Sequence, residues 1–195
     1  MLMCAVFLLP AGYGRTECAD RMPRHTTHDM VRTTENADTS RYTASDSVKA
    51  FIKGHETFRA DAYRIKGERH MTVGWGHLMD DGLGSAHMTR HEADRLFDRD
   101  IHECEDAVNR LLADMPCRFS QGFIDGMVSL VYNCGAAGLK DTEFWSRLRR
   151  CRIDGGHIRP DDLRFTVAAV RGIHITMPGH TGRRYTEQVM MLDKK

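Results

Sequence analysis

One segment in the second half of the chain limits the possible folds more than any other. Between Ser120 and Gly135, apolar side chains point to nearly every side of a helix; they are Phe123, Ile124, Met127, Val128, Leu130 and Val131. A helix that is apolar on all sides must be surrounded by other elements, so we expect it at the centre of a domain. Ser120 is a good N-cap and Gly135 a good terminator, which sets the predicted ends.

Further helices are predicted around this central one. Ser45 or Ser47 caps a first helix that ends near Glu56. Thr89 and Glu92 have the spacing of a capping box, and they open a long amphipathic helix. Shorter helices are expected around 142–151, 161–171 and 181–192, with caps at Thr142, Asp161 and Thr181.

A small sheet is predicted between the first and second helices. Segment 63–77 contains Gly67, Gly74 and Gly76 together with the β-formers Thr72, Val73 and Trp75. The fold class is therefore α+β, with a small β-containing lobe and a larger helical lobe.

The first 46 residues differ from the rest of the chain. A short apolar run, Leu2 to Leu9, resembles the hydrophobic part of a secretory signal, although no basic residue precedes it; a chance apolar terminus is the alternative. Residues 15–46 are polar and rich in threonine, which is typical of a flexible tail. We therefore predict a tail over 1–46 and a folded domain over 47–195.

Composition excludes several classes of protein. The net charge is +1, which disfavours nucleic-acid binding by bulk charge, and no apolar run is long enough to span a membrane. Ten acidic and four basic residues fall in 79–115, whereas nine arginines and three aspartates fall in 147–184. The second segment is therefore a candidate for contact with an anionic wall polymer. The four later cysteines are predicted as thiols, with one or two disulfides as the alternative.

Candidate chemistry is concentrated between residues 55 and 77. Glu56 lies where the first helix ends, beside Phe51, Ile52 and Phe58, and partial desolvation would favour its proton-donating form. A solvated helix-end charge is the alternative. His87 and His91 have a spacing compatible with a metal site, but no HExxH motif accompanies them. No metal and no organic cofactor is predicted, and a zinc amidase is disfavoured.

Four ordered motifs resemble the phage-type lysozymes, the endolysin muramidases. They are Glu56-Thr57-Phe58-Arg59-Ala60-Asp61-Ala62-Tyr63, then Thr72-Val73-Gly74-Trp75-Gly76-His77, then the central helix ending in Asn133-Cys134-Gly135, and finally Arg183-Arg184-Tyr185-Thr186-Glu187. The resemblance covers about 145 residues. It implies a lysozyme-like fold with the substrate cleft between the two lobes.

The resemblance also implies an activity and its residues. Glu56 matches the general acid that protonates the β-1,4 bond between N-acetylmuramic acid and N-acetylglucosamine. Thr72 matches the threonine that helps to hold the attacking water. The implied partner is the peptidoglycan strand, acted on in the periplasm or outside the cell by a monomer. A signal, holin release and a secretion system all remain open as the export route.

This chain departs from the family at the second carboxylate. The family aspartate follows the motif tyrosine by two positions, and here that position holds Ile65. Glu68 is the nearest acidic residue on the same loop, so it is the candidate replacement, with a solvated loop charge as the alternative. A lytic transglycosylase that uses Glu56 alone and an inactive module that binds wall or a partner also remain open.

Arg183 and Arg184 fall where the family places an arginine near the cleft. One is expected to pair with Glu56 or to bind substrate, and the other to be structural. His77 ends the glycine-flanked strand, and we expect it to fasten the β lobe by hydrogen bonds.

Overall fold

The computed structural model describes residues 41–64, 70–79, 87–173 and 180–193. The elements within these ranges are α1 (Asp46–His55), β1 (Arg59–Arg64), β2 (Met71–Gly74), β3 (His77–Leu78), α2 (Arg90–Leu112), α3 (Gln121–Lys140), α4 (Glu143–Leu148), β4 (Ile153–Asp154), β5 (His157–Ile158), α5 (Pro160–Ala168), a 3-10 helix (Ala169–Gly172) and α6 (His180–Leu192).

Helix α3 lies at the centre of the described domain, as its all-round apolar sequence predicts. It packs against α2 on one side and against α6 on another, and the side chains predicted as core are buried. Its approach to α6 is close at Gly122, where a Cβ atom would stand 2.2 Å from the carbonyl oxygen of Met190. This contact sets the position of α6, which carries part of the site described below.

Strands β1, β2 and β3 form an antiparallel sheet in that order. Tyr63 pairs with Thr72, and Thr72 pairs in turn with Leu78. The predicted small sheet is thus present, with Thr72 on its central strand. An isolated bridge between Asp61 and His87 ties the sheet to the segment that enters α2.

Both predicted capping signals at the start of long helices are present. Ser45 accepts a hydrogen bond from the Val48 amide at the start of α1. Thr89 and Glu92 form a complete capping box at the start of α2, with Glu92 accepting from the Thr89 amide at 2.7 Å.

Residues 42–45, which we call the strap, lie against α2 and α3. The Ala44 amide donates to Glu105, and the Ser45 amide and hydroxyl both donate to Asp125. Asn109 binds the Tyr42 backbone from both sides, accepting from its amide and donating to its carbonyl. The compact part of the chain thus includes the strap, four residues ahead of α1.

The helix ends differ from the sequence predictions at three places. Helix α3 breaks at Gly135, which has φ of 69° and ψ of 159°, but helical residues resume and continue to Lys140. Asp161 was predicted as a cap, yet α5 begins at Pro160, whose fixed φ suits the first turn. Thr181 was predicted as a cap as well, yet it lies inside α6.

A short hairpin of β4 and β5 was not predicted. Ile153 pairs with Ile158 and Asp154 with His157, around a turn at Gly155 and Gly156. Both glycines have positive φ, as a two-residue hairpin turn of this kind requires. The sequence Asp154-Gly155-Gly156-His157 contains that signal.

The cysteines that the structure describes are free thiols, as predicted: Cys104, Cys117, Cys134 and Cys151. Burial raises the pKa of Cys104 to about 12 and that of Cys134 to about 11. Cys4 and Cys18 lie outside the described residues. Across the described ranges, no helix is long and apolar enough to cross a membrane.

Candidate active site

Glu56 is the residue that ends α1. Its amide donates to the Ile52 carbonyl at 3.1 Å, and its own backbone is extended, which turns the chain out of the helix. The amphipathic face of α1 buries Val48 and Ile52, so the residue that follows this face begins close to the core. The Glu56 side chain is 7% exposed. A carboxyl group in such a position requires polar partners.

Arg183 of α6 is one such partner. Its Nη1 donates to Glu56 Oε1 at 2.8 Å, and the arginine side chain is 2% exposed. Residues 56 and 183 come from opposite ends of the domain, so the docking of α6 onto α3 brings them together. Of the two arrangements expected for an arginine here, this is the pairing with Glu56.

The remaining donors of Arg183 are used inside the protein. Its Nε donates to Glu187 at 3.2 Å, and its Nη2 donates to the carbonyl and hydroxyl oxygens of Ser129, both at 3.3 Å. Ser129 in turn donates to Glu187 at 2.6 Å. The guanidinium is therefore held in one orientation by α3 and α6 before any substrate arrives.

Arg184 lies wholly inside the same network. Its side chain has no exposed surface, and it donates to Glu187, to Asn133 and to the Ile173 carbonyl. Every nitrogen of this guanidinium thus has a partner within the core. A buried charge that is saturated in this way stabilises the packing of α6 on α3.

The turn between β2 and β3 approaches Glu56 from the other side. Gly76 has φ of +102°, and a Cβ atom on it would stand 3.5 Å from Glu56 Oε2 and 3.9 Å from the Tyr132 hydroxyl. The Tyr132 hydroxyl donates to the Trp75 carbonyl at 2.8 Å. A residue without a side chain is needed here because both the backbone conformation and the nearby carboxylate exclude one.

Thr72 lies on β2, two residues before Gly74. It is 1% exposed, and no residue in the described part of the chain hydrogen-bonds to its Oγ1. A buried hydroxyl of this kind ordinarily has a protein or water partner. The observation is compatible with a bound water at this strand.

The glycine-flanked strand and its turn are fastened to α2 by side chains. The Trp75 indole donates to Asp94 at 2.9 Å, and Lys53 donates to the same oxygen at 2.7 Å. His77 contacts Asp100 at 2.9 Å, so it fastens the β lobe as expected. These contacts make the turn that faces Glu56 a fixed part of the site.

Two of the residues singled out from the sequence, Ile65 and Glu68, lie outside the described residues. The structure brings together Glu56, Arg183 and Gly76, and it places Arg184 behind them in the core. Sequence reasoning missed Tyr132, Ser129 and Asp94. The first two had a signal, because they are polar residues three apart on an otherwise apolar helix.

The predicted metal alternative has little geometric basis. His87 lies ahead of α2 and binds Asp61 at 2.7 Å, whereas His91 lies within the helix, so the two do not share a helical face by their spacing. Among the described residues, no group of three or more His, Cys, Asp or Glu side chains is placed to hold a metal ion.

Most of the arginines in the basic segment 147–171 are neutralised locally. Their ion pairs are Arg147 with Glu143, Arg149 with Asp114, Arg152 with Asp162, and Arg164 with Asp161. Arg147 also stacks on the exposed Phe165 ring at 3.9 Å. The excess of positive charge in this part of the sequence is therefore smaller at the surface than the count of arginines indicates.

The arrangement of a small sheet, a central buried helix and a glutamate at the end of the first helix defines a lysozyme-like α+β protein. The chain has a TM-score of 0.63 with the muramidase domain of SpmX from Asticaccaulis excentricus, at 20% identity, over 78% of this chain and 99% of that one. With the endolysin from Escherichia coli O157:H7 phage FAHEc1 the TM-score is 0.62, at 21% identity, over 80% and 97%.

The profile of the phage lysozyme family matches residues 53–187, well over half of the chain. The chain belongs to the phage lysozyme family. It is 32% identical to an endolysin of Bacillus phage B103 over 92 residues, which is 47% of this chain and 34% of the relative. With the endolysin of Bacillus phage PZA it shares 28% over 102 residues, 52% and 38% of the two lengths. The chain thus spans little more than a third of these curated relatives.

Proposed function

We propose that this chain is a muramidase that cleaves the β-1,4 bond between N-acetylmuramic acid and N-acetylglucosamine in peptidoglycan, with Glu56 as the general acid. The observation that carries the proposal is the buried carboxyl of Glu56, clamped by Arg183 and facing the glycine turn within the family motif. The carboxyl protonates the glycosidic oxygen as the bond to the anomeric carbon breaks.

The geometry favours one oxygen of Glu56 as the proton donor. Oε1 accepts from Arg183 at 2.8 Å, and an oxygen that accepts from a guanidinium is a poor place for the acidic proton. We therefore assign the transferable proton to Oε2, on the side of Gly76. Arg183 orients the acid and does not bind substrate in this proposal. Arg184 is structural.

Thr72 is proposed to hold the water that attacks the anomeric carbon. Its buried hydroxyl, without a described protein partner, supports this role. Glu68 is proposed as the group that accepts a proton from that water, in place of the family aspartate that Ile65 replaces. Replacing Thr72 with Ala and Glu68 with Gln tests the two roles separately.

The decisive experiment is clearing of purified peptidoglycan by the wild-type protein and by Glu56→Gln, with Glu103→Gln as the matched control. Glu103 is exposed on α2, and the substitution removes the same charge. Wild type and control are expected to clear at equal rates and Glu56→Gln to lose at least a hundredfold. Equal clearing by Glu56→Gln would exclude Glu56 as the acid.

A second candidate, a lytic transglycosylase, is favoured by Ile65 alone. Without a carboxylate to activate water, a hydroxyl of the substrate itself closes on the anomeric carbon, and Glu56 still protonates the leaving oxygen. Mass analysis of the fragments separates the two reactions, because hydrolysis gives reducing ends and the transglycosylase gives anhydro ends. Binding of wall without cleavage by any variant would instead indicate an inactive module.

The proposal places the protein at the cell wall, as a monomer bound to glycan strands. The tail over 1–46 and the domain over 47–195 remain the proposed organisation. A signal, a holin and a secretion system are the routes to be compared, by fractionation of cells that express the full chain with and without residues 1–40.

A further inference from the structure

Tyr132 connects the central helix to the turn that faces the proposed acid. It lies on α3, its ring packs against Phe97 with the ring centroids 5.5 Å apart, and its hydroxyl donates to the Trp75 carbonyl at 2.8 Å. The hydroxyl is thus an anchor on the Trp75–Gly76 peptide from a residue 57 positions away in the sequence.

That peptide is the part of the β lobe closest to Glu56 among the contacts described here. The position of a Cβ on Gly76 lies 3.5 Å from Glu56 Oε2 and 3.9 Å from the Tyr132 hydroxyl. The tyrosine hydroxyl, the turn and the outer oxygen of the carboxyl therefore converge on one point. The inner oxygen, Oε1, is held from the opposite direction by Arg183.

Both supports of the carboxyl come from one face of α3. Ser129, Tyr132 and Asn133 are spaced i, i+3 and i+4, so their side chains lie on the same side of the helix. Ser129 binds Arg183, and Asn133 binds Arg184. Tyr132 binds the turn. This face of an otherwise apolar helix thus aligns α6 and the sheet relative to Glu56.

We propose that Tyr132 is a positioning residue for the reaction, because its hydroxyl holds the Trp75–Gly76 peptide at a fixed distance from Glu56 Oε2. The inference rests on the proposed function of Glu56. Proton transfer depends steeply on geometry, and displacements of about 0.5–1 Å reduce rates substantially. Loss of the hydroxyl leaves the Trp75 carbonyl without this donor and allows the turn to move.

The test compares Tyr132→Phe with Tyr185→Phe. Tyr185 is 55% exposed on α6, so its variant loses the same hydroxyl group at a place remote from the turn. Steady-state rates are measured on soluble peptidoglycan oligomers well below the melting temperature of both variants. We expect kcat of Tyr132→Phe to fall about five- to tenfold, the size of one hydrogen bond, with KM within twofold of wild type.

A second readout does not depend on activity. The Gly76 amide donates to the Val73 carbonyl at 3.2 Å within the turn. Hydrogen exchange of this amide, followed by NMR, is expected to accelerate at least fivefold in Tyr132→Phe and to stay unchanged in Tyr185→Phe. A role limited to global stability would change exchange across the core and leave kcat intact.

The outcomes separate the two proposals. An active wild type with unchanged kcat, or unchanged Gly76 exchange, in Tyr132→Phe overturns the positioning role and leaves the function of Glu56 standing. A wild type that cleaves no peptidoglycan overturns the proposed function, and the positioning role for catalysis is rejected with it, whatever the exchange data show. A selective loss of kcat together with local acceleration supports the proposal.

Discussion

At the scale of single residues, the site depends on where an atom is absent as much as on where one is present. Gly76 brings the backbone close to Glu56 because it has no side chain and because its φ of +102° suits glycine. Glu56 itself ends a helix whose apolar face leads it into the core. The chemistry of the acid is thus prepared by a carboxyl on one segment and by a missing side chain on another.

Gly76→Ala is expected to abolish most of the activity and to destabilise the fold by about 1–3 kcal/mol, because alanine is strained at positive φ and its methyl group lies against Glu56 Oε2. Gly54→Ala is the control. Gly54 lies in α1 with nothing within 4 Å of an added Cβ, so alanine should raise stability slightly. Clearing rates and urea unfolding measure the two effects. Equal losses in both variants would contradict the role of Gly76.

The buried thiols of Cys104 and Cys134 are expected to resist alkylation in the folded protein. Their pKa values are raised to about 12 and 11, so the reactive thiolate is a minute fraction at pH 8 and increases about tenfold for each pH unit. Labelling followed by mass spectrometry should show a rate that is still rising at pH 10, whereas in urea the same residues titrate near their ordinary pKa. A plateau near pH 9 in the folded protein would contradict the raised pKa values.

At the scale of elements, the caps and the apolar periodicity of the sequence were sufficient to locate the long helices. Ser120, Thr142 and the Thr89–Glu92 box were all predicted as caps and are present. The failures have a physical reason. Asp161 and Thr181 have side chains typical of caps, but Pro160 is itself suited to a first helical turn, and a cap preference alone does not locate a helix start.

The candidate site was predictable only in part. The motifs identified Glu56, Thr72 and Arg183, but which of the two neighbouring arginines pairs with Glu56 depends on how α6 rotates against α3. That rotation is set by tertiary contacts such as Gly122 against Met190, which no local pattern records. Tyr132 was missed for the same reason, since its partner is a backbone carbonyl 57 residues away.

The strap is expected to contribute to stability beyond its length. A chain that begins at Arg41 should unfold at the same urea concentration as the full chain. A chain that begins at Ser47 loses the Ser45 cap and the hydrogen bonds to Asn109, Glu105 and Asp125. Its free energy of unfolding should be lower by about 3 kcal/mol, from several bonds of about 1 kcal/mol each. Equal midpoints for the two truncated chains would contradict a structural role for the strap.

At the scale of the whole molecule, charge is organised by pairing. The net charge of +1 is the sum of an acidic segment over 79–115 and a basic one over 147–184. The arginines of the basic segment are spent in two ways, on surface pairs such as Arg152 with Asp162 and on the buried network of α6. Surface pairs of this kind contribute little to stability, whereas the buried network does not tolerate the loss of a member.

The two arginines of α6 should therefore respond differently to conservative replacement. Lysine lacks the planar fork of donors, so both Arg183→Lys and Arg184→Lys should lower the free energy of unfolding by about 3 kcal/mol. Only Arg183→Lys should also reduce activity per folded molecule, because Arg183 alone contacts Glu56. Clearing rates normalised to the folded fraction provide the measurement. An equal loss of specific activity in both variants would show that Arg184 acts on the acid as well.

The separation of Glu56 from Arg183 by 127 positions has a consequence for biosynthesis. The chain emerges from the ribosome with Glu56 early and α6 nearly last. Until α6 has left the exit tunnel and docked, the carboxyl lacks its guanidinium and α3 lacks one of its packing partners. The nascent chain is therefore without an assembled acid during most of its synthesis, and competence arises only with the final helix.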